Sequence, residues 1–168
     1  MDAQPGLAQH GGQRQGGTTM KIAIGSDHAG YPLKGTIVTH LAAHGHMIQD
    51  VGSHDPMPVD FPDIAAALTR TLLDGTAERG IMVCGTGVGA AIAANKVPGI
   101  RAALLHDAHS ARQAVEHDDV TVMCLGAQIV GPWLALDLID IFLAARFSTD
   151  PDFRRRVSKL HALDKARR

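Results

Sequence analysis

Gly80-Ile81-Met82-Val83-Cys84-Gly85-Thr86-Gly87-Val88-Gly89 is the stretch on which the reading of this chain turns. Residues 81–83 form a short apolar run, as expected of a strand buried on both faces of a parallel sheet. The run ends at Cys84 and opens into a loop with glycine at 85, 87 and 89. Ala90, Ala91, Ile92, Ala93 and Ala94 then read as the first turns of a helix. Glycines let backbone N–H groups turn inward, and a helix N-terminus adds positive potential, so such a loop suits an anion or an oxyanion. A thiol there sits where its thiolate can be stabilised. The competing reading makes Cys84 a small buried hydrophobe at a strand end.

Outward from this stretch the same alternation of strand and helix repeats. Residues 21–25 read as a first strand, ending in Gly25-Ser26-Asp27-His28-Ala29-Gly30. Pro32 suits the first turn of a helix carrying Leu33, Ile37, Val38 and Leu41 at helical spacing. Residues 46–51 form a weaker strand, and residues 52–61, with Pro56 and Pro58, an irregular loop. Pro62 opens a helix with Ile64, Leu68 and Leu72 on one face. The helix after Cys84 is expected to close near Pro98-Gly99, followed by strand 101–105, helix 108–116 and strand 120–125. Residues 132–145 are apolar nearly all round, broken only by Asp137 and Asp140, which points to a subunit interface. A last helix covers residues 152–167 and carries the basic run Arg154, Arg155, Arg156.

Five strands with intervening helices make an α/β fold: a three-layer α/β/α sandwich around a five-stranded parallel, Rossmann-like sheet. In such sheets ligands bind beyond the carboxyl ends of the strands. That rule gathers Asp27, His28, Cys84, Thr86, His106, Asp107 and Gly126 on one edge.

At 168 residues the chain holds one domain with a proper core, read here as residues 20–168. Residues 1–19 are rich in Gln and Gly and lack the apolar core of a secretory signal, so they read as a disordered extension. A hydrophobic share of 45% and a charged share of 20% fit an ordinary soluble protein. A net charge of -1 gives no general attraction to nucleic acid or to a membrane. Cys84 and Cys124 each follow an apolar run, which reads as reduced thiols in a cytoplasmic setting. His44 with His46, and His106 with His109, are close enough to suggest metal spacing, but no Cys or carboxylate cluster joins them, and no metal is expected. The glycine pattern is GxGxG rather than the dinucleotide fingerprint GxGxxG. Asp107 stands at a distance that keeps a ribose contact, and hence a nucleotide reading, open.

Four motifs in order carry a resemblance. Gly25-Ser26-Asp27-His28-Ala29-Gly30, Cys84-Gly85-Thr86-Gly87-Val88-Gly89 with Ala93-Ala94-Asn95-Lys96, Gly99-Ile100-Arg101-Ala102-Ala103, and Ser110-Ala111 followed by Glu116-His117 resemble the ribose-5-phosphate isomerase B / galactose-6-phosphate isomerase family. The resemblance implies an aldose–ketose isomerase that uses neither metal nor organic cofactor. It makes Cys84 the base that moves a proton between C1 and C2 through a cis-enediolate. Thr86 and the amides of Gly85, Gly87, Val88 and Gly89 would hold the enediolate oxygens. His117 would assist ring opening, and Asp27 and His28 would contact the sugar and its phosphate end. It also implies a homodimer or larger assembly with sites built between subunits, and a place in the pentose phosphate pathway. The chemistry stands on its own terms as well: removing a proton alpha to a carbonyl needs a positioned base and donors aimed at the oxyanion.

The chain departs from the family pattern in places. Ala90 stands where some members carry a Glu base, so the thiol version applies. Asp118 replaces an Asn after the ring-opening His, and Gly126-Ala127-Gln128 replaces a Gly-x-Arg segment. In the last helix Arg156 matches one phosphate-binding arginine, while Asp152 stands where a second is expected and Arg154 or Arg155 compensates. Phe61 replaces a Tyr. The substituted positions Asp118 and Gln128, with Arg156, remain candidate substrate contacts. Three readings follow: isomerisation of ribose 5-phosphate and ribulose 5-phosphate; the same mechanism on an unphosphorylated or shorter sugar; and a non-catalytic sugar- or nucleotide-binding module.

Overall fold

The computed structural model describes residues 18–165. The expected disordered extension, residues 1–19, lies outside them except for Thr18 and Thr19. The elements run β1 (Lys21–Ser26), α1 (Tyr31–Ala43), β2 (Met47–Asp50), α2 (Phe61–Leu73), β3 (Arg79–Cys84), α3 (Val88–Ala94), β4 (Ala102–Leu104), α4 (Ala108–Asp118), β5 (Val122–Gly126), α5 (Pro132–Ala144) and α6 (Pro151–Lys165). All strand pairings are parallel, in the order β2-β1-β3-β5-β4. The expected α/β/α sandwich is therefore present. The order itself holds a crossing: the chain passes beyond the β5 position to lay down β4, then returns.

Two apolar cores flank the sheet. Ile22, Ile24, Ile81, Val83, Met123 and Leu125 face α1, α4 and α5, where Leu33, Ile37, Leu41, Val115, Leu138 and Phe142 meet them. Ala23, Met82, Val122 and Cys124 face α2 and α3, where Leu68, Ala90 and Ala94 close the second layer. Alternate residues of each strand thus feed opposite cores, as the two-residue side-chain period requires. The chain leaves β1 for α1 on one face and leaves β3 for α3 on the other. The crevice between those two strand ends is the switch point where open α/β sheets bind ligands.

The end expected for the helix after Cys84 is corrected, and the part of residues 132–145 free to meet a subunit is narrowed. The helix after Cys84 stops at Ala94 rather than near Pro98-Gly99. The Asn95 side chain ends it by donating to the Ala91 and Ala102 carbonyls (2.9 and 2.8 Å) and accepting the Ala102 N–H (3.0 Å), which ties the turn to β4. The apolar helix α5 finds most of its cover within its own chain: Ala135, Leu138, Ile139, Phe142 and Leu143 are buried against α1, α4 and the sheet. Its exposed large apolar residues are confined to the first turn, where Trp133 is 87% and Leu134 43% exposed, beside Ile129 at 57%. No helix of the described residues is long and apolar enough to cross a membrane.

Candidate active site

Cys84 is the last residue of β3, paired in register with Gly126 of β5, while Ser26 of neighbouring β1 pairs with Val83. The sheet therefore brings Asp27 and Cys84 together across 57 residues of sequence, and the thiol donates to Asp27 Oδ2 at 2.9 Å. Asp27 is itself buried and fixed, its Oδ1 accepting the Gly30 N–H at 2.9 Å. This contact depends on a close approach. A Cβ at Gly30 would lie 2.2 Å from the Val83 carbonyl oxygen, so only glycine lets the β1–α1 turn sit against the end of β3. Gly87 takes φ +79°, and a Cβ there would meet the Leu125 backbone at 2.9 Å.

The loop of residues 85–89 wraps the sulfur. The N–H groups of Gly87 and Gly85 favour the thiolate, as the sequence suggested, but they are outweighed. Burial and the hydrogen bond and charge of Asp27 push the Cys84 thiol above its ordinary value. The expectation of a stabilised thiolate is thus corrected: in the free chain the sulfur holds its proton and shares it with Asp27. Cys124 lies beneath, pushed up to about 12 by burial, and belongs to the core.

Around this pair stand groups that can orient a polar ligand. Thr86, His28 and Gln128 are exposed. The Val59 N–H reaches His28 Nδ1 at 3.4 Å. The Gln128 amide oxygen lies 3.2 Å from where a Gly85 Cβ would be, so Gln128 walls the thiol loop, and its N–H donates to the Gly85 carbonyl at 3.0 Å. The ring of Phe61, at the start of α2, presses on Gly89. His106 supports the edge from behind, accepting the Gly126 N–H at 3.0 Å. Asp107 caps α4 by accepting the Ser110 N–H at 2.8 Å, and that bond holds its carboxyl below the usual range. Its spacing had left a ribose contact open; in the structure its Oδ1 serves as the helix cap.

His117, Asp118 and Arg156 lie elsewhere. His117 ends α4, which runs back from the Cys84 edge, so it sits at the amino end of the sheet, beyond the four residues of rise that separate Gly80 from Cys84, roughly 13 Å. Its ring stacks on Phe153 of α6, with centroids 3.9 Å apart and planes 9° from parallel. Arg156 rests over the same Phe153 ring at 5.5 Å. Asp118 is exposed, its backbone carbonyl accepting from Arg101 at 3.0 Å. Asp152 pairs with Arg155 at the surface, both side chains being more than half exposed. The structure thus divides the candidate residues into two groups at opposite ends of the sheet. Two members escaped the sequence reading: Asp27 as the partner of the thiol, and Phe153 as the support of His117. The first needed the β1–β3 adjacency; the second needed the fold-back of α6.

A thiol and a carboxylate thus meet at the switch point, beneath a glycine loop whose Gly85 and Gly87 N–H groups face the sulfur. The family model described as Ribose/Galactose Isomerase matches residues 22–160. The chain belongs to the ribose/galactose isomerase family. It is 44% identical over 129 residues to the ribose-5-P isomerase B of Listeria innocua, covering 77% of this chain and 87% of that one. It is also 44% identical over 131 residues to the D-erythrulose-4-phosphate isomerase of Pectobacterium atrosepticum, covering 76% and 85%. Among solved structures, ribose-5-phosphate isomerase B of Clostridium thermocellum superposes with a TM-score of 0.86 at 43% identity, covering 89% of this chain and all of that one. Membership makes this chain an isomerase, and the reading as a non-catalytic module falls away.

Proposed function

We propose that the chain interconverts ribose 5-phosphate and ribulose 5-phosphate, with Cys84 as the base. The observation that carries this reading is the Cys84–Asp27 pair beneath the glycine loop. In the open-chain aldose, the Cys84 thiolate takes the proton from C2. The electron pair moves into a C1–C2 double bond, and the carbonyl oxygen becomes the enediolate oxygen held by Thr86 and the N–H groups of residues 85–89. Return of the carbon-bound proton from Cys84 to C1, with the hydroxyl proton passing from O2 to O1, leaves a hydroxymethyl at C1 and a carbonyl at C2, the ketose. Before turnover the sulfur carries its proton and donates it to Asp27 Oδ2, and passage of that proton to Asp27 frees the thiolate that acts on C2. His28 and Gln128 contact the sugar.

The reading extends to a homodimer, placed in the cytoplasm, with His117, Asp118 and Arg156 of the partner subunit completing each site. The Cys84 edge offers no Arg or Lys among the described site residues, yet a phosphate dianion calls for charge-assisted partners. The other end of the sheet carries His117 and Arg156, and the Trp133, Leu134 and Ile129 patch beside the thiol edge is apolar enough to receive a subunit.

A second reading rests on a specific observation: neutral Gln128 walls the thiol loop, and the Pectobacterium relative is named for a tetrose phosphate. In that reading a shorter or unphosphorylated sugar is preferred. Measuring kcat/KM for ribose 5-phosphate beside a tetrose 4-phosphate and free ribose tests both. A value of about 10⁴ M⁻¹s⁻¹ or more on ribose 5-phosphate supports the first reading. A clear preference for the tetrose phosphate or the free sugar selects the second. No turnover of any of them overturns both.

A further inference from the structure

Away from the thiol edge, α1 and α5 lie side by side, and three ligating groups meet between them. His40 and His44 occupy the last turn of α1 and the residue that caps it, four apart, so both imidazoles stand on one face. Their ring centroids are 4.2 Å apart. Asp140 of α5 faces them, with Oδ1 2.7 Å from His40 Nε2. One ligand atom from each of the three lies within 4.8 Å of the other two. The sequence had singled out His44 with His46, but spacing of two does not align side chains on a helix end. His46 instead takes the Met20 N–H on its Nδ1 at 3.3 Å, which leaves a hydrogen on its other nitrogen. Helical spacing of four, plus a carboxylate from the next helix, is what assembles a donor set.

The orientation of His44 is the telling detail. Its Nδ1 lies 2.8 Å from the His40 carbonyl oxygen, which can only accept, so Nδ1 carries a hydrogen, and in the neutral ring the lone pair is on Nε2. A backbone carbonyl holding the far nitrogen is how protein sites fix a ligating imidazole. A simple clasp between the helices would need only His40 and Asp140.

We propose that His40, His44 and Asp140 bind a divalent transition-metal ion of the zinc class. Two imidazoles and one carboxylate suit zinc, with a fourth position open to water. Bonds of about 2.0–2.2 Å place donors roughly 3.3–3.5 Å apart, so the ion enters between His40 Nε2 and Asp140 and draws His44 Nε2 inward. The side chains have room for this: that of Asp140 is 49% exposed, and His44 is exposed. The ion would join α1 to α5 at a point remote from the proton-transfer groups.

The test titrates zinc chloride into the untagged, chelator-stripped full chain by calorimetry, in a Cys84→Ser background so that the active-site thiol contributes no heat. One equivalent per chain is expected to bind, with Kd roughly micromolar or tighter. His44→Ala and Asp140→Asn, both at exposed positions, are each expected to weaken it by about tenfold or more and to abolish the zinc-dependent rise in Tm. Circular dichroism of the metal-free variants checks that the fold is kept. Absence of saturable binding below about a millimolar overturns the site. So does one equivalent that both substitutions leave intact, since the ion would then sit on other donors.

Discussion

The two ends of the sheet carry the two halves of the candidate site and are built by different means. At the carboxyl end the chain is pressed together: Gly30 against the Val83 carbonyl, Gly87 against Leu125, Gly126 against Thr86. There the side chains that matter are buried or aimed by backbone. At the amino end His117 and Arg156 lean on one aromatic ring, Phe153, the first half-buried and the second exposed. The first end is organised by a single chain. The second has groups suited to a phosphate and a ring oxygen but nothing in its own chain to act on, and that asymmetry is what the proposed dimer resolves.

The sharpest way to break the comparison is to remove the thiol. Cys84→Ala is expected to lower kcat by about 10²–10⁴-fold or more, while ligand affinity and Tm stay near wild type. The removed group is small, and the cleft end is held by glycine contacts that the variant keeps. Retention of more than about a tenth of kcat would make Cys84 structural and leave the carboxyl end without its base.

If the halves meet across a symmetric interface, complementation follows. His117→Ala and Cys84→Ala homodimers should each be poorly active. Refolded together in equal amounts, half the dimers are mixed, and each mixed dimer has one site with both lesions and one intact site. About a quarter of the wild-type rate is then expected. An additive rate, no higher than the two variants measured separately, would show that each site draws both groups from one chain or that no dimer exchanges.

Much of the carboxyl end was legible in the sequence, because its signals are local. An apolar run, a thiol and three glycines within ten residues announce a strand end and an anion-friendly loop, and strand–helix alternation fixes a parallel sheet. What was not legible depends on strand order. Nothing local says that β1 lies beside β3, so Asp27 was readable as a sugar contact but not as the partner that accepts the Cys84 hydrogen. Nor does the sequence say that β5 inserts between β3 and β4 and thereby sets Gln128 against Gly85. At the amino end only the family resemblance marked His117 and Arg156, and their distance from Cys84 emerges only from the direction in which α4 runs. The early stop of α3 was hidden for a similar reason: Asn95 ends the helix by bonding to β4, a contact made in space.

The smallest effect tests the contact that the sequence did not reveal. Asp27 raises the Cys84 thiol in two ways, by accepting its hydrogen and by placing a negative charge beside the sulfur. Asp27→Asn keeps an oxygen for the Gly30 N–H but removes the charge, and its amide can donate to the sulfur. Both changes favour the thiolate, so the thiol value must fall. The rate of Cys84 alkylation by iodoacetamide, followed against pH, is therefore expected to rise at lower pH in the variant than in wild type. The readout is independent of turnover, so it holds even if Asp27→Asn binds sugar poorly. Burial, the largest cause of the upward shift, is untouched, and the curve should not fall all the way to that of a thiol at a strong helix N-terminus. A profile that stays in place, or moves to higher pH, would show that the 2.9 Å contact does not govern the thiol, and would return Asp27 to the simpler role of a sugar contact.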